Sequence, residues 1–146
     1  MSITRIKKPG EKRRKELSRE AKKLLEVLDE IDKHGHFDTN VPWEWIDWEE
    51  VEFKNDDDYT KFIHEEVPEA IREVAKEIGA KAYVYHLGYD VSGANYIVRL
   101  DRRGKKYTLY VGHYSEEDIF EKGRFTLLIV EGEKGWHGSS VYYHAV

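Results

Sequence analysis

The chain carries seven histidines, and acid–base chemistry is the first thing that seven imidazoles invite. Two histidines and a cation on one surface would suit cleavage of an RNA phosphodiester: one base, one acid, and a guanidinium for the charge that develops on phosphate. His86, His144 and Arg99 fall in segments with strand character and could fill those roles without a metal. His113 could join them if a bulge turned it to their face. The competing reading is ordinary strand and surface histidines, because only geometry establishes such a pairing.

A second cluster is His34-Gly35-His36-Phe37-Asp38. Imidazoles and a carboxylate two residues apart on a loop could share a cation. This H-x-H-x-D resembles part of the metal motif of metallo-β-lactamase-type hydrolases, but Thr39 stands where that motif continues with another His. The plainer reading is a helix end: Gly35 suits the position after the last turn, His34 suits the negative end of the helix dipole, and Asp38 suits a turn. We therefore expect no metal and no cofactor. The absence of Cys removes disulfides, thiol catalysis and thiolate metal sites.

The element that must position the histidines is a run of strands. Lys81–Leu87, Ala94–Leu100 and Lys105–Val111 read as three successive strands, with turns at Gly88–Gly93 and Asp101–Gly104. Arg124–Glu131 and Ser139–Val146 extend the same sheet, and a short helix is expected at Ser115–Phe120. Period-two alternation separates two faces. One carries Tyr96, Val98, Leu100, Tyr107, Leu109, Val111, Phe125, Leu127, Ile129, Val141 and Tyr143, and should be the core. The other mixes Asn95, Arg99, Thr108, Tyr110, Tyr142 and His144 with Ile97, Thr126 and Leu128. His86 joins it if Tyr85 and Leu87 point to the core. That mixture fits a half-solvated outer face or a ligand-binding concavity. In the second case Arg99 anchors charge, Tyr110 forms an aromatic wall and His144 titrates, with Asn95, Thr108 and Tyr142 around them.

The rest of the chain supplies the cover. Met1–Gly10 reads as an arm ending in the breaker Pro9-Gly10, and residues 11–146 as one domain. A first helix is expected over Glu11–Lys33, where Leu17, Ala21, Leu24, Leu28 and Ile31 recur at three- and four-residue spacing. The spacing then predicts a turn and a short strand near Glu50–Phe53, a helix from Asp57 to Glu66, an interruption at Val67-Pro68, and a second piece ending at Gly79. Helices followed by antiparallel strands give the α+β class: a curved antiparallel sheet of about five strands covered on one face by N-terminal helices. In element order this resembles the cone-shaped nuclear-transport-factor-like and cystatin-like folds, a resemblance that implies small-molecule or acid–base sites but does not fix one.

Composition narrows the classes. Charged residues are 36% of the chain, aromatics 13%, and the net charge is −5. That balance argues against nucleic-acid binding over the whole surface. No apolar run approaches the roughly 20 residues of a membrane span, and no apolar segment follows Met1 as in a secretory signal, so a soluble, cytoplasmic or recombinant protein is expected. There is no Gln, and Met1 is the only Met. In this the chain resembles hyperthermophile proteins and computationally designed or redesigned α+β proteins. Trp43, Trp45 and Trp48 either cap the core or form a protein-contact patch. The basic cluster Lys7, Lys8, Lys12, Arg13, Arg14 and Lys15 reads as a solubilising helix start or an arm for an anionic partner. The expected function is binding of a small molecule or partner on the polar sheet face. The alternatives are acid–base hydrolysis through His86, Arg99 and His144, or a scaffold without catalysis.

Overall fold

The computed structural model describes residues 16–91, 94–116, 118–137 and 143–145, without the side chains of 40–42, 88–91 and 143–145. The basic N-terminal cluster, Val141 and Tyr142 lie outside the described residues. The elements are α1 (Arg19–His34), β1 (His36–Val51), α2 (Asp56–Lys61), a π turn (Phe62–Glu66), α3 (Val67–Glu77), β2 (Lys81–Val91), β3 (Ala94–Arg102), β4 (Lys105–Glu116), β5 (Gly123–Lys134) and β6 (Tyr143–Ala145). The strands form one six-stranded, open antiparallel sheet in the order β1-β5-β4-β3-β2-β6. The helices pack on one face, giving the α+β arrangement expected.

Helix α1 starts later than its periodicity suggests, because Ser18 caps it: the hydroxyl accepts from the Ala21 N–H at 3.1 Å. It ends at Gly35 in the left-handed conformation (φ 85°). Ala21, Leu24, Val27, Leu28 and Ile31 are buried along one stripe against the sheet. Gly132 on β5 lies under this stripe. A Cβ there would sit 2.7 Å from a Leu109 methyl and 2.9 Å from an Ile31 methyl, so its bare backbone lets α1 approach.

The segment 36–51 is one long strand, not a turn followed by a short strand. Its alternation slips because the ladder is bulged. Glu44 pairs with Leu128 and Ile46 with Leu127, leaving Trp45 as the extra residue. The bulge puts Trp43, Trp45 and Ile46 all against the core, which no regular strand could do. Trp45 is fully buried, and its indole N–H donates to the Glu20 carbonyl at 3.0 Å.

The interruption at Pro68 takes the form of a π turn. The Val67 N–H reaches back five residues to Phe62 O. The next bond of that pattern would come from residue 68 to Ile63 O, but proline has no N–H. The Tyr96 hydroxyl, from the middle of the sheet, donates to Ile63 O instead, at 2.7 Å. Burial raises the Tyr96 pKa far above the usual phenol range, so it remains a donor at any ordinary pH.

Every described residue assigned to the core face from β3 to β5 is buried: Tyr96, Val98, Leu100, Tyr107, Leu109, Val111, Phe125, Leu127 and Ile129. At the β3–β4 turn Arg103 (φ 56°) and Gly104 (φ 87°) are both left-handed, as a two-residue hairpin of this twist requires. The expected helix at Ser115–Phe120 is absent among the described residues, because β4 runs on to Glu116. β6 pairs with β2, through Tyr85–Ala145, His86–His144 and Leu87–Tyr143.

Replacing Tyr96 with Phe should strand the Ile63 carbonyl in the core at a cost of about 1–3 kcal/mol. Urea unfolding of the variant measures this; an unchanged midpoint would show that another donor serves the carbonyl.

Candidate binding face

Arg99, Thr108 and Tyr110 share the outer face of the sheet, away from the helices. Ladder pairing sets them in cross-strand rows: Tyr83–Arg99–Thr108–Glu133, and Tyr85–Ile97–Tyr110–Glu131. A third row holds Lys81, Asp101 and Lys106.

The short segment after β5 doubles back across these rows. Thr108, fully buried, donates to Gly135 O at 2.7 Å and accepts from the His137 N–H at 2.9 Å. Arg99 donates through Nε and Nη2 to His137 O at 3.3 and 3.1 Å. The Gly135 N–H donates to Lys106 O at 2.8 Å, and the Trp136 indole N–H donates to Leu100 O at 3.0 Å. His137 also pairs with Glu133, at 3.5 Å. Thr108 and Arg99 therefore act as anchors for this strap. Asn95 has a structural task as well: its side-chain oxygen accepts from the His113 N–H at 3.0 Å, beside the last ladder pair of β3 with β4.

The strap delivers Trp136 onto the outer face, 39% exposed yet fixed in orientation by its indole bond. Around it runs a ladder of cations and rings. Lys106 Nζ lies 4.3 Å from the Trp136 ring centroid, and Lys81 Nζ lies 5.3 Å from that of Tyr83. The Arg99 guanidinium stacks 5.1 Å from the Tyr85 centroid. The Tyr83 and Trp136 rings meet edge to face at 5.4 Å. Sequence reading missed Lys81, Tyr83, Tyr85, Lys106 and Trp136 as a group, although parity makes the two tyrosines neighbours of Arg99 once β2 is set in register.

The expected trio of His86, His144 and Arg99 does not share a face. His86 pairs with Tyr96, and Val84 with Val98, so His86 lies on the helix side while Arg99 lies outside. The condition for His86 to face outward, Tyr85 and Leu87 turned to the core, is not met: Ala82 and Val84, of the same parity as His86, are the buried core residues here. Helix α3 crosses close over β2, and small residues fit beneath it. His144 pairs with His86 in the ladder, in the row of Tyr96 and Val111, and its side chain lies outside the described residues. His113 pairs with Leu127 on the helix side too. On that side the imidazoles pack as rings: His64 against His86 at 4.6 Å, His86 against Tyr96 at 5.2 Å, and His113 against Phe125 at 4.8 Å.

At the end of α1 the H-x-H-x-D side chains line an open cleft of about 550 Å3 with Glu26, Asp29, Glu30 and Trp43. They pair locally, His34 with Glu30 at 3.3 Å and His36 with Asp38 at 3.8 Å. Among the described residues no group of three His, Asp or Glu side chains is placed to hold a metal ion. Trp43 packs edge-on against Phe37 at 5.3 Å, and Trp48 against Phe62 and Phe125, so all three tryptophans of β1 contribute to the core.

No helix among the described residues is long and apolar enough to cross a membrane. No family model matches this chain, and neither a curated protein nor a solved structure matches it.

Two expectations follow from this geometry. Thr108→Val should cost about 1–3 kcal/mol and release the strap, seen as faster hydrogen exchange at the His137 amide and readier quenching of Trp136. Protection unchanged from the parent would refute the anchoring role. The second concerns Asp101, held below the usual carboxylate range first by its bond with Lys106 and then by the Gly104 N–H. A depressed carboxylate contributes stability that is present above its unfolded pKa of about 3.9 and is lost as pH falls through the lower folded value. Asp101→Asn should therefore flatten the stability profile below about pH 4, checked by denaturant titrations at successive pH values.

Proposed function

We propose that this chain is a binding domain that takes an anionic, ring-bearing ligand on the outer sheet face. One observation carries the reading: an exposed indole, Trp136, is held in fixed orientation beside Lys106 and Tyr83, with Lys81 against Tyr83 and Arg99 bonded to the adjoining His137 carbonyl. Exposed apolar area needs no such fixing for solubility. A ring that must present one face to a planar partner does, and pre-organising it lowers the ordering cost at binding. Lys81, Arg99 and Lys106, the last also paired with Asp101, supply the positive charge, and the aromatic faces supply stacking area. Arg99, Thr108 and Tyr110 contribute mainly by holding or flanking this surface, and His144 is not required. His137, Glu133 and Asp101 also lie here, each engaged with a neighbour, and no proton-transfer step is assigned to them.

Phenyl phosphate is a suitable probe, with inorganic phosphate and phenol as controls. Its titration, followed by protein amide shifts, should give saturable changes at Trp136, Tyr83 and Lys106, with both controls weaker. Trp136→Ala and Lys106→Ala should each weaken it by about tenfold, about 1.4 kcal/mol. Equal binding of phenol, or shifts confined to other parts of the chain, would reject the proposal.

A further inference from the structure

His137 closes the strap with both of its ring nitrogens against acceptors. Nε2 lies 2.6 Å from Lys134 O, and Nδ1 lies 3.5 Å from Glu133 Oε1. A carbonyl and a carboxylate only accept, so each contact asks the ring for an N–H. Neutral imidazole has one N–H and one lone pair, whereas imidazolium has two N–H groups. Loss of the proton therefore turns a lone pair onto one of the two oxygens. The ring reaches this position by folding back over Gly135, where a Cβ would lie 3.2 Å from Nε2. Other charged and polar groups face it from the neighbouring strands. From β4, the Tyr110 hydroxyl donates to the same Glu133 oxygen at 3.5 Å, and Thr108 holds the His137 N–H. Lys106, paired with Asp101, lies against the adjoining Trp136 ring. From β3, the Arg99 guanidinium bonds the His137 carbonyl. The carboxylate thus meets the ring itself, while the guanidinium is bonded to the backbone.

We propose that His137 is a pH-sensitive clasp for the strap: imidazolium closes it, and neutral imidazole loosens it. Both contacts are made by the protonated ring, so their stabilisation is fully present at acid pH. It is lost as pH rises through the range where imidazole gives up its proton, about pH 5–8. The two side chains are partly exposed, at 51% and 36%, so the change in strap opening is a few-fold and the sheet stays folded. The bonds from Thr108, Arg99 and the Trp136 indole remain, and the strap loosens without leaving the face. What the clasp controls is the fixing of Trp136, the residue beside it. For an anionic ligand the closed state supplies a held ring and one more cation together. That link to a ligand rests on the outer-face reading; the clasp itself does not.

Hydrogen exchange at the His137 amide and the Trp136 indole, each divided by its intrinsic rate at the same pH, reads the clasp. Protection should fall a few-fold between about pH 5.5 and 8. His137→Gln keeps a polar side chain without the titration and should show no such fall. Glu133→Gln keeps the imidazole but neutralises its partner, and should shrink the fall. A flat profile in the parent, or the same fall in His137→Gln, would overturn the proposal. Benzenesulfonate, whose charge is constant over this range, separates the clasp from the outer-face site. It should bind the parent a few-fold more tightly at the acid end, and His137→Gln equally at both ends. No benzenesulfonate binding beside an intact step in protection would reject the outer-face reading and keep the clasp. Binding at every pH beside flat protection would do the reverse. Binding indifferent to pH beside a clear step would overturn the clasp's control of the site.

Discussion

A missing N–H organises much of this structure. Pro68 cannot serve the carbonyl of Ile63, and that carbonyl sits in the core, where an unpaired acceptor is costly. The Tyr96 hydroxyl serves it from the centre of the sheet. One hydrogen bond thereby ties the helical layer to the strand layer at a fixed point. The π turn admits an extra residue, so Phe62 and Ile63 both reach the core and His64 lands over His86. It also sets Phe62 against Phe53, Trp48 and Phe125.

The two sheet faces are closed by different means. The helix side is sealed by apolar volume, with α1 seated on Gly132 and the bulged β1 filling the edge with tryptophans. The outer side, where described, is covered by a strap held through polar groups. Thr108 is the pivot: a buried hydroxyl that both donates and accepts, matched to one carbonyl and one N–H of the strap. A β-branched Thr suits the strand by shape, and its hydroxyl gives this strip of outer face a defined cover.

These features explain which parts were legible in the sequence. Core parity from Tyr96 to Ile129 was readable because one parity is apolar throughout while the other mixes Arg99, Thr108 and Thr126 with Ile97 and Leu128, and the turn at Arg103-Gly104 fixes the register. The cap at Gly35 and the break at Pro68 were readable from single residues, although the form of the break was not. It depended on Tyr96, 28 positions beyond Pro68. His86 would share the outer face only with Tyr85 and Leu87 turned to the core, and the packing of α3 on β2 turns Ala82 and Val84 there instead. The strand 36–51 was obscured by its own bulge: the slip between Trp45 and Ile46 was visible, but it marked an extra residue within one strand and not the end of one. Ser115 and Asp118 spelled a helix start, yet pairing with β5 held the chain extended through Glu116. Local signals lost wherever a long-range pairing competed with them.

The charge distribution shows the same separation of local from global. A net charge of −5 describes the whole chain and argues against a uniformly basic surface. It does not describe the Lys81 and Lys106 end of the outer face, where cations lie against rings, nor the Glu52 and Glu66 end, where carboxylates surround rings. Screening over about 10 Å at moderate salt lets the two ends act separately. Aromatic rings accept either setting, because a ring face attracts a fixed lysine as readily as a bound cation. On the outer face the flanking charge is largely lysine laid against rings. At the π turn exposed carboxylates stand beside rings that are buried in the core.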